Sequence, residues 1–187
     1  GDWKVEFTDA KGKAQTEIFN VLMVSNGHHW DPKYPEFNGK FTGKMMHSHD
    51  FKGVNEEWRG KDVLVIGGGN SACDVAVESA RISNKVALSM RSPQWFVPKF
   101  LFGKPTDVFA AGGNFLPKIA KQYALKAALY LLQGSYKQYG LPENTVLPLS
   151  NHPTANSDLF DFIRHGRIKP RPGIQRLDGG IVEFTDG

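Results

Sequence analysis

Apolar and polar residues alternate through Trp3-Lys4-Val5-Glu6-Phe7, the period of a half-buried strand. Asp9-Ala10-Lys11-Gly12 supplies turn chemistry, and Thr16–Phe19 reads as the return strand of a hairpin. Val21-Leu22-Met23-Val24 is a nearly continuous apolar run ending in Ser25-Asn26-Gly27, which predicts a buried parallel strand delivering a tight loop. Residues 30–60 are rich in Pro, Gly and aromatics. They predict a structured connection, because Trp30, Tyr34, Phe37, Phe41 and Phe51 are costly to leave in water. Asp62 to Met90 then reads as strand, turn, helix and strand. An irregular stretch over 91–115 follows, then a helix over Leu116–Gly134 with Gly134 near its end. After Leu141 the chain is loop-like until a short helix over Ser157–His165, capped by Asn156 or Ser157 and stopped by Gly166. Gly173–Arg176, the turn Leu177-Asp178-Gly179-Gly180 and Ile181–Thr185 predict a closing hairpin.

The two hairpins echo one another. Val5-Glu6-Phe7-Thr8-Asp9 recurs as Val182-Glu183-Phe184-Thr185-Asp186. Two generic amphipathic strands before turns would give this pattern. So would two similar domains, each carrying such a hairpin, with the chain starting inside one hairpin and stopping inside the next.

The chemistry-bearing pattern is Val63-Leu64-Val65-Ile66-Gly67-Gly68-Gly69-Asn70-Ser71-Ala72, an apolar strand entering a G-x-G-x-x-A turn. Gly67 permits the tight turn, Gly69 lets backbone approach a pyrophosphate, and Ala72 lets helix and strand pack closely. The helix beyond carries Ala72, Val75, Ala76, Ser79 and Ala80 on one face, and its N-terminus aims N–H groups at phosphates. Alone the glycine pattern is weak; here it has strand before, helix after and a second strand at Lys85–Met90. Cys73, just past the turn, reads as a small packing residue. After the second strand come Arg91 and Ser92 with no acidic residue, so NADPH is expected: Arg91 would grip the 2′-phosphate and Ser92 would add a hydrogen bond. Lys99 is a weaker second candidate, and a solvated surface cation is the plain alternative for Arg91. The expected cofactor-binding set is therefore Gly67, Gly68, Gly69, Asn70, Ser71, Ala72, Arg91 and Ser92.

Composition narrows the picture. The 187 residues are 40% hydrophobic with a formal charge of +4, which fits a packed core and an anionic ligand. No basic block is long enough to track nucleic acid. The single cysteine makes no internal disulfide, and no apolar run reaches the ~18 residues of a membrane span, so a cytoplasmic location is expected. His47-Ser48-His49-Asp50 and His28-His29 lack metal-ligand spacing, so no metal is expected. Asn70-Ser71-Ala72 lacks the elbow of a serine hydrolase. The helix over Leu116–Gly134 sets Lys118, Lys121 and Lys126 beside Leu125, Leu129 and Leu132. That pattern covers a core or lines a channel more often than it lies on a membrane.

Together these segments resemble the flavin-containing monooxygenases. Phe41-Thr42-Gly43-Lys44-Met45-Met46-His47-Ser48-His49-Asp50-Phe51 matches that family's F-x-G-x-x-x-H-x-x-x-[F/Y] fingerprint through Phe41, Gly43, His47 and Phe51. Ser25–Pro32 and Leu149–Asp158 are similar to further family segments. Phe51 rather than Trp favours the branch that oxygenates nitrogen or sulfur over the Baeyer–Villiger branch. The resemblance implies an α/β fold with a Rossmann-like doubly wound parallel sheet and β-hairpin excursions. It implies residues 1–35 as the end of a first FAD-domain half, 36–60 as an inter-domain connection, and 61–187 as an NADPH-binding domain truncated within its hairpin. It further implies NADPH and FAD as cofactors, with NADPH reducing the flavin and one oxygen atom passing to a small substrate with a nucleophilic N or S. The family's FAD-binding glycine turn is absent, so the chain is expected to need the missing FAD domain as partner and to be inactive alone. A two-domain flavoprotein reductase and a free-standing nucleotide-sensing module are the rivals. No C-x-x-C pair supports the first, and ends that fall within strands argue against the second.

Overall fold

The structure is a computed structural model that describes residues 1–27, 29–101, 103–111 and 117–186, with the backbone alone at 109–111. His28 of the histidine pair, the expected helix start at Leu116 and the terminal Gly187 lie outside the described residues. The chain divides into two units, Gly1–Lys33 and Tyr34–Gly187.

In the first unit, β1 (Trp3–Thr8) pairs antiparallel with β2 (Ala14–Phe19), Trp3 opposite Phe19 and Thr8 opposite Ala14. The Asp9 carboxylate closes the turn by accepting from the Lys11 and Lys13 amides, each at 2.9 Å. Residues 21–24 correct the expectation of a buried strand: they form no strand, and Val21 and Met23 are 75% and 85% exposed. An apolar run becomes a buried strand only with a ladder partner and a covered face. Among the described residues none pairs with this segment.

The second unit begins with β3 (Gly39–Phe41) and a 3-10 turn at Glu56–Trp58. Then come β4 (Asp62–Ile66), α1 (Asn70–Ala80) and β5 (Lys85–Ser89). The region expected to be irregular contains β6 (Phe96–Val97), β7 (Phe100–Leu101), β8 (Lys104–Pro105) and α2 (Thr106–Ala111). After them come α3 (Lys118–Gln133), β9 (Thr154–Ala155), α4 (Leu159–Arg164), β10 (Ile168–Arg171), β11 (Ile174–Gly179) and β12 (Ile181–Phe184).

Three strands form a parallel sheet in the order β10-β5-β4, with Val63 beside Val86 and Val86 beside Ile168. Side chains alternate across a sheet, so Val65, Val86, Leu88 and Ile168 share the buried face that meets Cys73, Ala76, Val77 and Ala80 of α1 in one core. This strand–helix–strand unit is the α/β, Rossmann-like arrangement expected. A second sheet has the order β12-β11-β3, with β3 parallel to β11. Sequence patterning missed β3, a three-residue strand whose partner lies far along the chain. Gly39 is required there: with φ of 85°, any Cβ would sit 2.0 Å from the Leu177 carbonyl oxygen.

An aromatic wedge extends the core. Trp95, Phe96, Tyr136, Tyr139 and Phe160 are all buried, with ring centroids 4.7 Å apart for Tyr139 and Phe160. The helix α3 ends at Gly134, whose φ of 80° and amide bond to the Tyr130 carbonyl stop it as expected. Its apolar face is partly misread by periodicity. Leu129 is buried, but Leu132 is 52% exposed, and Gln122 and Gln133 are buried instead. Gln122 faces inward because its amide donates to the Pro148 carbonyl and Ser150 Oγ, acceptors that an apolar side chain would leave unsatisfied.

Candidate functional site

The glycine turn sits at the carboxyl end of β4, beside the end of β5. Gly67 N–H donates to the Ser89 carbonyl at 2.9 Å, joining the two strand ends. Its φ of 127° lies where side chains are disfavoured, and a Cβ there would touch the Ala72 methyl at 3.4 Å. Gly68 is enclosed: a Cβ would meet Met90 Sδ at 2.9 Å and Gln94 Cγ at 3.1 Å. Gly69 is the reverse. It precedes α1 in an extended conformation, and a Cβ there would meet nothing within 4 Å. The first helical bond runs from Cys73 N–H to the Gly69 carbonyl, so the amides at the head of the helix lack intrahelical acceptors. Open space, amide donors and the helix dipole converge on one point, a geometry suited to an anion such as a diphosphate.

The other expected residues divide into two groups. Arg91 and Ser92 are exposed just past the end of β5, and Arg91 stands beside Gly173, where a Cβ would be 3.3 Å from the Arg91 Cβ. Ser71 is exposed at the helix head and Ala72 half-buried against Gly67. The Asn70 side chain has a partner within the fold: its Oδ1 accepts from the Ala155 amide at 2.7 Å, leaving the Asn70 backbone as the part facing the turn. Lys99 Nζ lies 3.4 Å from Asp74 Oδ1, an ion pair half open to water.

Two residues that the sequence did not connect with the turn, Thr154 and Asn156, support it and the helix behind it. Thr154, 3% exposed, donates its hydroxyl to the Gly68 carbonyl at 2.8 Å. Asn156 donates to Asp74 Oδ1 at 2.9 Å and accepts from the amides of Asp158 and Leu159, tying α1 to the start of α4. The signals available were Thr154 and Asn156 in what reads locally as a helix-capping loop, and their place in the Leu149–Asp158 segment that resembles the family. Cys73 is fully buried with Sγ 3.9 Å from the Gly68 carbonyl. Burial and then the neighbouring Asp74 push its thiol up to about 12, so it is a packing group with little thiolate character.

The fingerprint residues form a separate local structure. The Phe41 ring lies over Gly43, where a Cβ would be 2.5 Å from a ring carbon. His47 Nδ1 accepts from the His49 amide at 3.0 Å, and its ring stands edge-on to Tyr34. Phe51 packs edge-on against Trp58 at 5.4 Å. Among the described residues, no three His, Cys, Asp or Glu side chains gather as a metal set. None of their helices is long and apolar enough to cross a membrane. Two clefts, of about 590 and 340 Å³, share Arg164 and are lined by no residue of the glycine turn.

The chain is 35% identical to flavin-containing monooxygenase 5 of Rattus norvegicus, across all of this chain and 36% of that protein. It is also 35% identical to flavin-containing monooxygenase 3 of Homo sapiens, again spanning 36% of its length. A cyclohexanone monooxygenase from Rhodococcus sp. Phi1, solved bound to NADP+, matches 98% of this chain and 48% of its own with a TM-score of 0.63. At 14% identity that likeness speaks for the fold alone. The flavin-binding monooxygenase-like family matches residues 1–187 from end to end, and the chain belongs to that family.

Proposed function

We propose that this chain is the NADPH-binding portion of a flavin-dependent monooxygenase that oxygenates nitrogen or sulfur in small soft nucleophiles. The observation that carries the reading is the turn itself: Gly67 in a conformation reserved for glycine, Gly69 facing open space, and the head of α1 with amides that lack intrahelical acceptors. A dinucleotide fits this set. Its pyrophosphate would lie at Gly69 and the head of α1, held by the Gly69, Asn70, Ser71 and Ala72 backbone. Its 2′-phosphate would meet Arg91, with Ser92 adding a hydrogen bond. No acidic side chain follows β5 to hold a ribose 2′-hydroxyl, which supports NADPH over NADH.

When bound, FAD would supply the oxygen-transfer chemistry; this chain's residues bind and orient the nicotinamide cofactor that reduces it. The span of 36% of the relatives supports a portion that acts with a flavin domain. In that reading residues 1–35 close the first half of that domain, 36–60 connect, and 61–187 hold NADPH. The fingerprint residues Phe41, Gly43, His47 and Phe51 stiffen the connection, and Phe51 supports the nitrogen- and sulfur-oxygenating branch. The buried lone Cys73 supports a reducing, cytoplasmic setting.

Calorimetric titration of the chain with NADPH and NADH, alongside Arg91→Ala, tests the reading. NADPH is expected to bind more tightly, with the preference falling roughly tenfold or more in the variant as a charge-assisted pair is lost. Equal affinity for both nucleotides, or a preference unchanged by the substitution, would remove Arg91 from the site.

A further inference from the structure

The strand β9 is wedged between β6 and the glycine turn, and its hydrogen bonds alternate between the two. The Thr154 and Asn156 amides donate to the Trp95 and Val97 carbonyls at 2.7 and 3.0 Å, while the Ala155 amide turns the other way to Asn70 Oδ1. The strand is thus held by backbone without any help from the Thr154 hydroxyl. That hydroxyl reaches the Gly68 carbonyl at 2.8 Å, and Cys73 Sγ approaches the same oxygen at 3.9 Å.

In a trans peptide, the C=O of one residue and the N–H of the next point in opposite directions. Fixing the Gly68 carbonyl inward therefore fixes the Gly69 N–H outward. Gly69 is exposed at the head of α1, and its surroundings are open enough that a Cβ there would meet no atom within 4 Å. A run of glycines is the stretch of backbone most free to rotate, so this peptide plane needs an external restraint to hold one orientation. Thr154, 3% exposed and 86 residues further along the chain, supplies it.

We infer that Thr154 is a positioning residue of the nucleotide site: its hydroxyl holds the Gly68 carbonyl and so turns the Gly69 amide toward the pyrophosphate. The inference rests on the dinucleotide reading above, and the test separates the two. Thr154→Val keeps the shape and removes the donor; Thr154→Ser restores the donor. NADPH, NADH and 2′-AMP are titrated into the full chain and both variants. Thr154→Val is expected to weaken NADPH and NADH by the same factor, roughly three- to tenfold for one lost hydrogen bond. Binding of 2′-AMP, which has no pyrophosphate, stays unchanged, and Thr154→Ser lies within about twofold of the unaltered chain by the same scale. A merely structural role would weaken all three ligands together, which overturns the inference, as does wild-type NADPH affinity in Thr154→Val. Failure of the unaltered chain to bind either dinucleotide overturns the underlying reading and the inference with it. A further arm needs no variant. NADPH should slow hydrogen exchange at the Gly69 amide while 2′-AMP does not, and exchange indifferent to NADPH overturns the inference.

Discussion

The two hairpins carry the same five residues and live in different surroundings. In β1 the Val5-Glu6-Phe7-Thr8-Asp9 segment belongs to a two-stranded ribbon, with Phe7 40% exposed. In β12 the Val182-Glu183-Phe184-Thr185-Asp186 segment belongs to a hairpin that gains β3 as a third strand. Phe184 there is half-buried with the Arg171 guanidinium 5.3 Å from its ring centre, and the Thr185 amide donates to the Gly173 carbonyl at 2.9 Å. Local sequence decides that both segments make hairpins. Contacts within the second unit add a third strand to its hairpin, and three strands hold more firmly than a two-stranded ribbon does by itself.

Loss of β3 should have the largest effect on the second hairpin. Gly39→Val places a Cβ against the Leu177 carbonyl at a positive φ and is expected to lower the stability of residues 34–187 by about 3 kcal/mol in urea denaturation. The matching change in the first hairpin, Gly12→Val, meets a positive φ but open space and should cost about 1–2 kcal/mol of local stability.

Alkali should act on the second unit next. The Cys73 thiol is raised from 9.0 to about 12 by burial and then by Asp74, and the Tyr136 phenol from 10.0 to about 12 chiefly by burial. Both groups ionise earlier in the unfolded chain. The stability they leave intact below pH 9 is therefore lost as pH rises from 9 toward 12, and Cys73→Ala should flatten the first part of that fall. Urea midpoints measured across that range check the slope.

A smaller effect separates the paired phenylalanines. Phe184→Ala removes ring contact and the Arg171 interaction, a loss of about 1–2 kcal/mol, whereas Phe7→Ala should cost less than about 1 kcal/mol. Thermal melts of the two variants side by side decide whether context separates them.

The smallest effect is acidic and belongs to the first hairpin. The Lys13 amide, then the Gln15 side chain, hold the Asp9 carboxyl below its ordinary 3.8. The turn support it lends above that value is lost as pH falls through its lowered pKa. Protection of the Lys11 and Lys13 amides, relative to their intrinsic exchange, should fall there, and Asp9→Ala should remove that step.

Elements built from local contacts were legible in the sequence. The hairpin turns, α1 with its glycine-rich entry, the stop at Gly134 and the cap from Asn156 all depend on residues within a few positions of one another. Elements that depend on distant partners were not. The three residues of β3 carry no period, and their partner β11 starts at Ile174. Val21–Val24 shows the converse error, because apolarity reports a preference for burial, while burial itself requires a partner strand. At the site, the glycines and Arg91 follow from chemistry written into a short motif. Thr154 and Asn156 do not, since their roles exist only once β9 folds back onto the turn.

In the proposed reading a dinucleotide docks at the glycine turn and the head of α1. The most direct test is to follow the backbone amides of the isotope-labelled chain by NMR while NADPH is added. Saturable shifts are expected, concentrated at Gly67 to Ala72 and at Arg91. Shifts gathered instead around Arg164, between the two clefts, with the glycine turn unmoved, would contradict it.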